Sequence, residues 1–128
     1  MTNEELVREA LTVLHARAIN TEVGVACALL TKRGNLFKVC IDTSSSLFCA
    51  EHTAISQMIT QGESEIKKIV AVWKNKSELF VLPPCRCREF IYQTNNKNIE
   101  TIVIMGKEKT LRLKKLLPYY GQRIYDES

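Results

Sequence analysis

The sequence predicts a single α/β domain over residues 1–128, built as one mixed sheet with helices against both faces. Three observations carry this. Helical and extended signals run in the order helix, hairpin, helix, strand, helix, strand, strand, and such mixing favours helices on both sides of a sheet. The strand candidates are nearly continuous apolar runs, as strands covered on both faces are. The chain has 128 residues, 45% of them hydrophobic, which suffices for one domain with a real core. No repeat, low-complexity stretch or domain boundary interrupts it.

The first helix starts at Asn3-Glu4-Glu5 and runs to about Ala18. Asn3 can cap it, and Glu4 and Glu5 suit the positive end of the helix dipole. Leu6, Ala10, Val13, Leu14 and Arg17 share one face at helical spacing, and His15 lies beside that stripe as a surface or packing residue. Val23–Thr31 is a buried strand, with Cys27 as a small hydrophobe within it. Lys32-Arg33-Gly34-Asn35 turns the chain into a second strand, Leu36–Ile41, so the two form a hairpin.

Asp42 to Ser46 is polar and leads to a second helix, Cys49 to about Gln61, ended by Gly62. Ile66–Trp73 is the third strand. Leu79–Leu82 is a short extended piece before Pro83-Pro84, which hold the approach to Cys85 out of the α region. A third helix runs from Cys87 to about Thr94, followed by a loop at Asn95–Asn98. Ile99–Met105 is the fourth strand, and Lys109–Leu113 a short fifth. Leu113–Leu117 can continue instead as a short helix ending before Pro118.

Composition excludes several classes. Eighteen basic and fourteen acidic residues give a net charge of +4, too small to indicate a nucleic-acid protein. No apolar run is long enough to cross a membrane, and residues 1–20 lack the regions of a signal peptide. A cytoplasmic protein is the expectation. Five cysteines in such a compartment argue against disulfides and for metal ligation.

The chemistry concentrates in two stretches. Phe48-Cys49-Ala50-Glu51-His52 offers a thiolate and a carboxylate two residues apart, and Pro83-Pro84-Cys85-Arg86-Cys87-Arg88 offers two more thiolates. Three cysteines, Cys49, Cys85 and Cys87, can hold zinc and leave one position for water. Glu51, not itself a ligand, can then move protons for that water. A purely structural zinc would need a fourth protein donor. Cys40 is the thiol that could supply it, whereas His52, adjacent to Glu51, is expected off the Cys49 face. In a regular helix, residues two apart point about 200° from each other. Cys85 and Cys87 therefore reach one ion only if Cys85 stands outside helical geometry.

These motifs resemble those of the zinc nucleobase deaminases, and most of all the small branch of cytidine and blasticidin-S deaminases, whose first ligand is Cys. The likeness runs from about Val23 to Leu117. It implies a three-layer α/β/α sandwich with a mixed five-stranded sheet, zinc as cofactor, and hydrolytic deamination of a cytosine nucleoside with release of ammonia. Glu51 would be the catalytic residue. Ala50 and Pro83 would position the base through their backbones. Cys40 and Asp42 match the asparagine and glutamate that grip the ribose. His52 stands where the family commonly has an arginine that hydrogen-bonds the ligand thiolates, with Arg88 nearby. The family pattern places one more residue between its second and third cysteines. A deaminase-fold protein that binds a nucleoside without turnover is therefore the alternative. The branch assembles as homotetramers, in which Tyr119, Tyr120 and Tyr125 would line an interface or a neighbouring pocket. A small nucleoside is the implied partner, and a membrane or a polynucleotide is not.

Overall fold

The computed structural model describes residues 1–17, 24–42, 50–73, 79–80, 85–106 and 108–117. The side chains of Arg17, Asp42, Leu79, Phe80, Cys85 and Arg86 are not among those described. The expected tyrosine tail, Pro83 and Cys49 fall outside these residues.

Helix α1 spans Asn3–Arg17. Its cap is Thr2 rather than Asn3. The Glu5 N–H donates to Thr2 Oγ1 at 3.1 Å, and the Thr2 N–H donates to Glu5 Oε1 at 3.0 Å. This reciprocal pair satisfies two donors that a helix start otherwise leaves open. Leu6, Ala10 and Leu14 are fully buried, with Val7 and Leu11 packed beside them. Val13 is only half-buried, because the buried stripe follows spacing four from Leu6.

Strands β1 (Gly24–Thr31) and β2 (Leu36–Asp42) form the predicted hairpin, with Gly34 at φ +90° in its turn. Helix α2 spans Ala50–Thr60. It ends where Gly62 takes φ +85°, the Gly62 N–H donating to Ile59 O and the Glu63 N–H to Met58 O. That pair of bonds closes the orphan carbonyls of the last turn. Strand β3 (Ile66–Trp73) pairs with β1, and the two-residue β4 (Leu79–Phe80) pairs with the end of β3. Helix α3 spans Cys85–Thr94. The expected loop after it is a 3-10 turn, Asn96–Glu100, capped by Asn95. Strands β5 (Ile102–Ile104) and β6 (Thr110–Arg112) and the short helix α4 (Leu113–Leu116) complete the order.

The main path of the sheet has five strands, β2-β1-β3-β5-β6, with β4 at the side of β3. Among the described strands only β3 and β5 run parallel. Alternation along β1 divides the core. Ala26, Ala28 and Leu30 pack with α1, whereas Cys27 and Leu29 pack with α2, α3 and α4. The result is a three-layer sandwich in which α2 and α3 share one face. No helix among the described residues is long and apolar enough to cross a membrane.

Candidate active site at two helix starts

Glu51 lies in the first turn of α2 and is 2% exposed. Burying a carboxylate is costly, so such groups are normally hydrogen-bonded. Glu51 Oε2 has no such partner among the described residues. Burial pushes its carboxyl above the ordinary range, and its own backbone N–H offsets this in part. A buried carboxyl whose pKa is raised is what a proton-transfer group requires. Ala50 is the first residue of α2 and fully buried. Its N–H therefore belongs to the first turn, where donors have no intrahelical acceptor.

One residue on, His52 turns its ring toward α3. His52 Nδ1 lies 3.7 Å from Cys87 Sγ, and its ring packs on Phe90 at 4.4 Å between centroids. The expectation that His52 lies off the Cys49 face concerns a residue outside those described. Phe90 is three residues after Cys87, one helical turn on, and braces the ring from the same helix. Cys87 is 1% exposed. Its sulfur is disulfide-bonded, against the expectation that disulfides are absent. A sulfur held in a disulfide cannot ligate a metal, so the metal-binding form of the site is the reduced one.

α3 begins at Cys85, not at Cys87. The side chain of Cys85, the third expected thiolate, lies outside those described. Arg88 Nη1 donates to Leu116 O at 3.2 Å, which ties α3 to the end of α4.

Cys40 is a second correction. It pairs with Ala26, and both belong to the cluster under α1. Cys40 thus sits on the opposite face of the sheet from Glu51, where it can neither grip a substrate nor serve as a fourth ligand. A strand alternates faces at every residue, so a matching error of one position reverses the assignment. Ile41, the next residue, packs against the α2-side cluster. Sequence reasoning passed over it, although its spacing from Val39 carried the signal. Asp42 pairs with Gly24 at the strand end.

Among the described residues no three His, Cys, Asp or Glu side chains form a metal cluster. The two groups brought together, a cysteine sulfur and an imidazole, are both of the type zinc prefers. A buried carboxyl, one oxygen of which has no hydrogen-bond partner among the described residues, stands one residue from that imidazole. This donor chemistry fits a zinc site with a proton-transfer group beside it.

Solved cytidine deaminases share the fold. That of Mycobacterium tuberculosis superposes with a TM-score of 0.76 at 19% identity, covering 94% of this chain and 97% of that one. The Mycobacterium leprae enzyme gives 0.74 at 21% identity over 92% and 99% of the two chains. The Burkholderia pseudomallei enzyme gives 0.71 at 22% over 94% and 100%. The model of the cytidine and deoxycytidylate deaminase zinc-binding region matches residues 1–105. The match spans most of the sequence and includes both helix starts, so the chain belongs to the cytidine and deoxycytidylate deaminase family.

Proposed function

We propose that this protein is a zinc-dependent hydrolase that converts a cytosine nucleoside to its uracil form and releases ammonia. The observation that carries the reading is Glu51, a buried carboxyl in the first turn of α2 with an oxygen that has no partner among the described residues. Zinc, when bound, supplies a Lewis acid that makes the attacking water more acidic. Glu51 takes a proton from that water as its oxygen bonds to C4 of the ring. Glu51 then delivers the proton to N3. It next carries the second water proton to the exocyclic amine, the C4–N bond breaks, and ammonia leaves. The water supplies the new carbonyl oxygen and both protons, so the reaction balances.

Cys49, Cys85 and Cys87 are proposed as thiolate ligands, and the Ala50 N–H and the backbone carbonyl near Pro83 as the groups that orient the base. Support for cytidine itself comes from the family match and from structures bearing that activity. Blasticidin S is the rival substrate. The resemblance alone supports a homotetramer and a cytoplasmic location.

A second reading is nucleoside binding without turnover. The Cys85–Cys87 spacing, one residue shorter than the family pattern, favours it, because a lost ligand can cost the metal. Ammonia release from cytidine, deoxycytidine and blasticidin S, measured on reduced zinc-loaded protein, decides between them. Turnover of one substrate is expected, falling by roughly 10³-fold or more in Glu51→Gln. Tight nucleoside binding with no ammonia from any of the three would overturn the catalytic reading.

A further inference from the structure

We propose that Ile41, Val25 and Trp73 form an apolar floor under the sugar of the substrate, so that the preferred substrate is a cytosine nucleoside whose sugar lacks a hydroxyl on that side. The inference rests on the deamination reading above and names its substrate class.

The three residues stand in one row across three strands. Val25 on β1 pairs with Ile41 on β2 and with Trp73 on β3. Residues paired in this way share a face of the sheet. Val25 and Ile41 both pack against the α2-side cluster, so the row lies on the face that carries Glu51.

The next row inward is Val39, Cys27 and Ala71, and all three are buried. Glu51 is close enough to Cys27 for its charge to act on the thiol. From there α2 runs back toward the hairpin turn, since Ser56, Gln57 and Thr60 share a cavity with Arg33, Asn35 and Phe37. The Ile41 row therefore lies past the start of α2. Val25 and Trp73 are only half-buried, although β1 and β3 are interior strands. The end of the helical cover, not a sheet edge, accounts for their exposure.

This placement fits the far side of a nucleoside. Two residues along a strand span roughly 7 Å, which sets the distance from Cys27 to Val25. The reaction needs C4 of the pyrimidine at Glu51. The sugar is attached at N1, across the ring from C4, and so reaches toward the next row. Ile41 and Val25 have no polar side-chain atom, and Trp73 has only an indole N–H donor. No side chain of the row can accept a hydroxyl proton. A hydroxyl set against it gives up water without gaining an acceptor. Apolar surfaces discriminate against an added hydroxyl by up to about 100-fold. The competing account is an acceptor brought to the sugar from elsewhere in the chain, which would make the hydroxyl-bearing sugar the better substrate.

Ammonia release by the reduced, zinc-loaded full chain tests this with cytidine, 2′-deoxycytidine, 3′-deoxycytidine and 2′,3′-dideoxycytidine. At least one deoxy compound should exceed cytidine in kcat/KM by about 10-fold or more. Cytidine better than, or within 10-fold of, every deoxy compound would overturn the inference and leave the deamination reading standing. Ile41→Asn places a hydrogen-bonding group in the row and should shift the preference toward cytidine. An unchanged order in Ile41→Asn of intact melting temperature would also overturn it. Ile41→Thr, which keeps the β-branch, serves where the asparagine folds poorly. Equilibrium binding of the same four compounds by calorimetry separates the two failures. No ammonia from any compound would overturn the deamination reading, and the order of affinities then decides the inference by the same criterion. A chain that neither binds nor turns over any of the four would overturn both.

Discussion

Cys27 on β1 and Glu51 on α2 are buried neighbours, and the charge of the carboxylate adds to burial in holding the Cys27 thiol far above its ordinary range. Each group is easier to bury neutral than charged. The strand under the helix therefore presents an uncharged thiol to the one carboxyl that the proposed reaction must ionise.

This fixes how Glu51 affects stability in the zinc-free protein. Its folded carboxyl titrates above the ordinary value of 4.5. Below that ordinary value both the folded and the unfolded carboxyl are protonated, and burial costs little. As pH rises the unfolded chain ionises first, so folding loses stability until the folded carboxyl also ionises, and the cost is constant thereafter. Gln never charges. Glu51→Gln should therefore raise the melting temperature at pH 7, with the gain shrinking toward zero below about pH 4.5. Thermal unfolding of both proteins across pH measures this, and an unchanged gap at low pH would contradict it.

Glu63 behaves in the opposite sense. The Thr31 hydroxyl and the Asn35 side-chain amide donate to its carboxylate, and Arg33 adds a favourable charge, so its carboxyl sits below the ordinary range. Stability from this contact is present above the ordinary pKa and lost as pH falls through the folded value. It pins the β1–β2 turn to the end of α2 through the 2.6 Å bond from Asn35 Nδ2. Glu63→Gln should lower the melting temperature at pH 7, and the difference should narrow on acidification. Paired melts at pH 7 and in acid are sufficient to check the sign.

Much of this was legible in advance. The β1, β2 and β3 strands, the α1 stripe of Leu6, Ala10 and Leu14, and the Gly34 and Gly62 turns follow from local pattern, because apolar period and positive φ are properties of a few adjacent residues. Cys27 was readable as core for the same reason. The misses are relations between elements. Thr2 rather than Asn3 caps α1, a choice decided by the Glu5 side chain reaching back. The face of Cys40 depends on its pairing with Ala26. The meeting of His52 with Cys87 is no miss, since the resemblance put a thiolate-directed residue at that position, but its distance depends on how two helices approach, which no spacing within either motif contains.

Asn98 is another such long-range tie, and its loss should be expensive. It is 1% exposed. Its Oδ1 accepts from the Ile66 N–H at 2.8 Å, and its Nδ2 donates to Ser64 O at 2.9 Å and to Ile91 O at 3.0 Å. One side chain thus holds the start of β3 to the end of α3. Asn98→Ala would leave a buried N–H and two carbonyls without these bonds, at a cost of about 3 kcal/mol. Denaturant unfolding should show a lower midpoint at nearly unchanged slope, and a loss well under 1 kcal/mol would show that water replaces the amide.

Cys40 supplies a test of the sheet register itself. Along β2, Val39 and Ile41 pack on the α2 side, while Leu36 and Cys40 pack on the α1 side. The pairing of Ala26 with Cys40 fixes this alternation, since Ala26 is buried under α1. A side chain on that face is separated from Glu51 by the whole thickness of the sheet. Cys40→Ala should therefore lose only packing, about 1 kcal/mol for a partly buried small group, and leave KM and kcat for the nucleoside substrate unchanged. Ile41→Ala, one residue on and across the sheet, should disturb the α2-side packing. Steady-state kinetics and melting curves on the two variants separate the faces. A raised KM in Cys40→Ala with an intact melting temperature would mean that the strand presents the other face to the site.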